Sequence, residues 1–289
     1  ISKDLTQSWD SLDVPIDLIR DEVYNLKDKT LVLKSLSDKH IYVQNEDGWN
    51  ELNYNEDVIA FDHLNIVDDE IFLATKQALY YSSDKGKTLI QLMNFDSLSI
   101  IDLEVSTERI LLSIINKNGK YKTRVYDRSL LLLSELTFGN YYVNGKTVYK
   151  KSFNGIYSEF SEAKHDDWFS FSLINRSENE ITKINFINNF VYLSFAGNVN
   201  TLRVNLLTGE KQEIKLPEYK YVKRFGDKYC IQNRSNLVIY DDENLENYSI
   251  VIPKLAWAET VSKWITKIDN NGIIYAKTKD FLYQSLDGR

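Results

Sequence analysis

Residues 70–92 read Glu70-Ile-Phe-Leu-Ala-Thr-Lys-Gln-Ala-Leu-Tyr-Tyr-Ser-Ser-Asp-Lys-Gly-Lys-Thr-Leu-Ile-Gln-Leu92. Two apolar pieces, Ile71–Ala74 and Ala78–Tyr81, are each four residues long. Both are too short for a helix, and each ends in a polar break. The stretch therefore reads as strand, tight turn, strand, turn, strand.

The same unit recurs along the chain. Lys29-Thr-Leu-Val-Leu-Lys-Ser35 leads to His40-Ile-Tyr-Val-Gln44 and then Asp47-Gly-Trp-Asn-Glu-Leu52. Gly272-Ile-Ile-Tyr-Ala-Lys-Thr278 leads to Phe281-Leu-Tyr-Gln-Ser-Leu-Asp287. Weaker copies begin near Arg109, Lys146, Phe190 and Lys228. The units start near 30, 70, 109, 146, 190, 228 and 272, a mean step of about 40 residues, which is the length of a four-stranded propeller blade. Another apolar run precedes each of them and can serve as an innermost strand, as at His63–Asp68, Ile100–Val105, Ile181–Phe186, Tyr221–Phe225 and Trp264–Ile268.

The predicted fold is all-β: a seven-bladed β-propeller of four-stranded antiparallel blades in one domain, 1–289, with six or eight blades as the alternatives because the fourth unit (Thr137–Leu173) is irregular. The blades fall near 16–53, 58–93, 98–136, 138–173, 180–216, 219–252 and 261–289. The last unit stops after its third strand. A spare strand at Ser8–Asp13 is expected to complete it and close the ring, which removes a sheet edge that invites aggregation.

Composition agrees with sheet. Of 289 residues, 19 are Tyr, 13 Phe and 5 Trp, side chains that favour pleated, half-buried surfaces. Tyr42, Tyr80, Tyr157, Tyr240 and Tyr283 recur at matching third-strand positions and read as blade packing. Net charge is −7, against a general nucleic-acid binder. The single cysteine, Cys230, excludes an internal disulfide and a cysteine-based zinc site. His40, His63 and His165 show no paired-ligand spacing, so no metal is expected. No phosphate-cradling glycine loop occurs, and no cofactor is expected. No apolar run approaches the ~18 residues that cross a bilayer. The chain starts at Ile1 rather than Met, which fits a removed leader, and an exported location (periplasmic, cell-surface or secreted) is expected.

At Ser82-Ser-Asp-Lys-Gly-Lys-Thr88 the chain carries a Ser-x-Asp-x-Gly-x-Thr pattern followed by apolar Leu89. Ser2-Lys-Asp-Leu-Thr-Gln-Ser-Trp9 fits the same frame, with Ser2, Asp4 and Trp9 in place. Ser285-Leu-Asp287 is a truncated copy. The chain resembles the Asp-box (BNR-repeat) β-propellers, which include sialidases, other glycan hydrolases, sorting-receptor ectodomains and photosystem-assembly-type factors. The resemblance implies that Ser82, Asp84, Gly86 and Thr88 are structural, on the face opposite the binding site. Physically, Ser82 and Asp84 are placed to accept turn N–H groups, and Gly86 supplies a positive φ.

In that family the loops between successive blades, and between the second and third strands of a blade, form the binding face. Here they carry Tyr54, Phe95 and Trp257 as candidate exposed anchors, since aromatics dominate hot spots. They also carry Asp96, with Arg176 and Arg234 as candidate carboxylate binders. The expected function is a non-catalytic binding or scaffolding role toward a protein or glycan partner, as a monomer or within a larger complex. The alternative is a glycoside hydrolase of the sialidase-like Asp-box class, with an arginine triad and a Tyr–Glu pair. The family's Arg-Ile-Pro motif is absent, because no Arg stands two residues before Pro15, Pro217 or Pro253.

Overall fold

A computed structural model describes residues 9–12, 14, 22–26, 30–35, 40–52, 61–137, 139–153, 158–163, 172–177, 180–187, 189–196, 201–214, 219–225, 228–233, 237–240, 248–251, 264–268, 274–277 and 282–285. Among these residues the strands form seven antiparallel sheets of four. The first holds β2 (Glu22–Asn25), β3 (Leu31–Lys34), β4 (Ile41–Asn45) and β5 (Gly48–Glu51). The second holds β6 (Phe61–Val67), β7 (Glu70–Thr75), β8 (Ala78–Ser82) and β9 (Ile90–Asn94). The third holds β10 (Leu98–Val105), β11 (Arg109–Asn116), β12 (Tyr121–Asp127) and β13 (Leu132–Thr137). The fourth holds β14 (Asn140–Asn144), β15 (Thr147–Phe153), β16 (Ser158–Ala163) and β17 (Ser172–Ser177). The fifth holds β18 (Ile181–Ile187), β19 (Phe190–Phe195), β20 (Thr201–Asn205) and β21 (Lys211–Ile214). The sixth holds β22 (Tyr219–Phe225), β23 (Lys228–Asn233), β24 (Leu237–Tyr240) and β25 (Tyr248–Val251).

The seventh sheet joins the two ends of the sequence. β26 (Trp264–Ile268), β27 (Ile274–Lys277) and β28 (Leu282–Ser285) pair in order, and β1 (Trp9–Leu12) adds to β28. Trp9 stands opposite Ser285 and Leu12 opposite Leu282. Elsewhere spatial order follows chain order, so successive strands are hairpins. Tyr42, Tyr80, Tyr240 and Tyr283 each lie on the third strand of a sheet. Tyr157 lies outside the described residues, and Cys230 lies on β23.

The chain divides into two compact units, Ile1–Asn50 with Ile181–Arg289, and Glu51–Glu180. In the second unit, side-chain alternation explains how sheets pack. Ile110, Leu112 and Ile114 of β11 join Phe72, Ala74 and Leu79 of the preceding sheet in one core. Leu111, pointing the other way, joins Val125, Tyr141, Val143 and Val148 in the next. A strand buried on both faces loses the polar half of its alternation. That is why β3 and β7 read as nearly unbroken apolar runs. Burying a leucine such as Leu112 contributes about 2 kcal/mol. In the first unit, Leu31 and Leu33 pack with Leu12, Val14, Tyr42 and Trp49.

Two placements correct the sequence reading. Phe95, expected as an exposed anchor, is buried in the core between the second and third sheets. Its N–H donates to Gln77 O at 2.7 Å, which draws the ring under the connection rather than onto it. Arg176, expected in a loop, lies within β17, which runs on to Ser177.

Candidate functional site

The Ser82–Thr88 turn is built by its own polar side chains. Ser82 Oγ donates to Asp84 Oδ1 at 2.8 Å and accepts from Gly86 N at 2.7 Å. Asp84 Oδ1 accepts from Thr88 N at 2.9 Å, and Asp84 Oδ2 from Thr88 Oγ1 at 2.7 Å. Lys85 (φ 61°) and Gly86 (φ 82°) turn the chain through the left-handed region. The bonds from Thr88 hold the Asp84 carboxyl at about 2. Both carboxylate oxygens are thus engaged within the turn itself.

The other expected site residues are spread. Asp96 is exposed in the turn after β9. Trp9 and Ser285 face each other across β1 and β28. Tyr54, Arg234, Trp257, Ser2, Asp4 and Asp287 lie outside the described residues.

A cluster the sequence reading missed lies on the first strands of three consecutive sheets. β6, β10 and β14 are each the edge strand of their sheet, and β10 runs beside both others. A β-bulge interrupts β6 at Phe61/His63 and β10 at Ile100/Asp102. The same one-residue skip recurs at Ile181/Lys183, Tyr219/Tyr221 and Ile265/Lys267. Bulges re-aim the side chains that follow them. In β6 and β10 those side chains are His63 and Asp102, with Nδ1 and Oδ1 3.5 Å apart. Asn65 Nδ2 donates to Leu103 O at 2.7 Å and ties the same two strands.

Glu104 stands two residues beyond Asp102, on the same side of β10. Burial first, and the Asp102 carboxylate second, push its carboxyl up to about 7. Tyr142 on β14 is raised by burial and then by the Glu104 and Asp102 charges. The cluster thus has a carboxyl, that of Glu104, whose proton is held toward neutrality. Among the described residues, no group of three or more His, Cys, Asp and Glu is placed to hold a metal ion. No helix among them is long and apolar enough to cross a membrane.

A second polar group sits where the second and third sheets meet. Arg128, in the β12–β13 turn, pairs with Glu70 and donates to Ser106 O at 3.0 Å. Its guanidinium lies 4.4 Å from the centre of the Phe72 ring. Tyr81 donates to the other Glu70 oxygen. Burial and then Glu70 hold the Tyr81 hydroxyl above its usual value. Every member has a partner, so the group reads as a clasp.

No protein-family model matches the sequence, and no curated protein is similar to it. Solved structures are similar over nearly the whole chain. The WD40 domain of Neurospora crassa Pan2 matches with a TM-score of 0.63 at 10% identity, over 99% of this chain and 97% of that one. Virginiamycin B lyase from Staphylococcus aureus, with quinupristin, matches with a TM-score of 0.62 at 13% identity, over 96% and 98%. YCF48 bound to D1 peptide matches with a TM-score of 0.61 at 9% identity, over 96% of each chain. At such identities the likeness shows the fold, a β-propeller, and nothing of the activity.

Proposed function

We propose that this chain is a non-catalytic binding or scaffolding propeller that recognises a protein partner through its loop face. The observation that supports it most is the whole-chain likeness to a propeller with a bound peptide, YCF48 with D1 peptide. A propeller offers rigid strands and variable loops, and binding residues concentrate on such loops. In this reading the seven sheets are the blades of one ring, and β1 is the strand that closes it. The Ser82–Thr88 turn is an Asp box that braces the opposite face.

Partner capture tests the reading. Immobilised wild-type chain should retain a protein that the Tyr54→Ala/Arg234→Ala/Trp257→Ala variant loses and the Asp84→Ala variant keeps. Equal capture by all three removes the loop face as the site.

One observation favours glycoside hydrolysis as a second reading. Glu104, whose carboxyl burial and the neighbouring Asp102 push up to about 7, is the kind of carboxyl that can serve as a general acid, with Asp102 on the same side of the strand as its partner. Turnover of a fluorogenic glycoside panel, abolished in Glu104→Gln, would establish it. A silent panel leaves the binding reading.

A further inference from the structure

We propose that the junction of β6, β10 and β14 is a pH-responsive joint, in which ionisation of Glu104 beside Asp102 loosens the contact between three sheets. The inference is independent of what the chain binds or cleaves.

The geometry is that of a joint. β10 is tied to β6 by the Asn65–Leu103 bond of 2.7 Å and by the His63–Asp102 contact of 3.5 Å. Just past its end, Ser106 Oγ donates to Gly145 O at 2.7 Å, in the turn that leaves β14. Titratable groups stand among these bonds.

The surrounding charges leave Glu104 without a compensating cation on these strands. Neither β6, β10 nor β14 contains a Lys or Arg. β6 brings His63, which lies against Asp102, and also carries Asp62. β14 brings the Tyr142 hydroxyl. On β7, Glu70 is engaged by Arg128 and Tyr81. On β11, Arg109 stands opposite Asp127, whose carboxyl is kept low by the Ser129 hydroxyl first and by Arg109 last, and donates to Glu108 O at 3.1 Å.

The sign follows from the raised carboxyl. Well below 4.5, folded and unfolded chains both hold the proton and nothing differs. Between 4.5 and about 7 the unfolded chain loses it first, so stability falls as pH rises. Well above 7 the folded chain also carries Glu104 as a carboxylate and the loss is complete.

The test compares wild type, Glu104→Gln and Asp102→Asn by thermal melts from pH 5 to pH 8.5. Glu104→Gln should melt about 3 °C or more above wild type at pH 8.5, with the gap closing toward pH 5. Asp102→Asn should flatten the wild-type profile in part. Wild-type amide hydrogen exchange, corrected for intrinsic rates, should be faster in β6, β10 and β14 at pH 8.5 than at pH 5.5, with β19 unchanged. A Glu104→Gln profile that overlays wild type overturns the proposal. So does wild-type exchange in β10 that ignores pH, which decides the matter even if the variant fails to fold.

Discussion

Asp84 accepts three hydrogen bonds within seven residues of chain, and its carboxyl lies at about 2 instead of 3.8. A depressed carboxyl contributes stability that is present above its unfolded value and lost as pH falls through the folded one. Asp84→Ala should therefore cost about 1 kcal/mol at pH 7, the usual worth of a turn or cap acceptor. The gap to wild type should narrow as pH drops below about 4, as urea melts at pH 7 and pH 3 would show. A second residue-scale case is a hairpin loop used twice in succession. Asn116 Oδ1 accepts from Asn118 N and Lys120 N, with Gly119 at φ 74°. Asp127 Oδ1 accepts from Ser129 N and Leu131 N, with Leu130 at φ 69°. Nothing lies within 4 Å of a Cβ built on Gly119, so Gly119→Ala meets only backbone strain, about 1 kcal/mol. Leu130 already bears that strain and packs against the core between the second and third sheets. Leu130→Gly trades strain for packing, so its loss should fall below the 2–5 kcal/mol of an ordinary core leucine truncation. Denaturant midpoints of the two variants measure both balances.

At the scale of elements, the strands were legible because their burial alternates or saturates over four to eight residues. Glu70–Thr75 and Ala78–Ser82 stand where the apolar pieces of residues 70–92 place them. The cluster on β6, β10 and β14 was not legible, because His63 and Asp102 are 39 positions apart. Their approach depends on a bulge that local patterning does not announce. The recurrence of Ile181-Thr-Lys-Ile184 as Ile265-Thr-Lys-Ile268, with the skip at the same place, is the signal that could have found it. Phe95 was misread for a related reason. Between Asn94 and Asp96 it has loop neighbours, yet a ring between two sheets gains more from burial than from exposure. Arg128 shows how a turn residue can act between elements. Removing it leaves the half-buried Glu70 and Tyr81 without their cation. Arg128→Ala should cost about 1–3 kcal/mol, more than loss of the exposed Lys122 partner of Glu135. Chemical denaturation of the two variants gives the comparison directly.

For the whole molecule, the pairing of β1 with β28 carries the most testable consequence of the proposed ring. Four residue pairs, Trp9–Ser285 through Leu12–Leu282, join the two ends of the sequence. Four ladder pairs would be a small loss at a free end, where stability is lowest and fraying is local. In a closed ring they differ in kind, because every blade leans on two neighbours and the closing strand couples the first unit of sequence to the last. Deleting residues 1–13 should then lower the melting temperature of the whole fold by several degrees instead of trimming one edge. It should also expose the β28 edge and bring concentration-dependent association, the usual fate of an uncovered strand. Calorimetry and light scattering on the truncated and intact chains separate the cases. A truncated chain that melts like the intact one and stays monodisperse would mean that β1 decorates the seventh sheet and does not close a ring. A single calorimetric transition in the intact chain, lowered as one in the truncated chain, is the outcome expected of a ring. If the two compact units instead melted separately, the deletion would shift only the transition of Ile1–Asn50 with Ile181–Arg289 and leave that of Glu51–Glu180 in place.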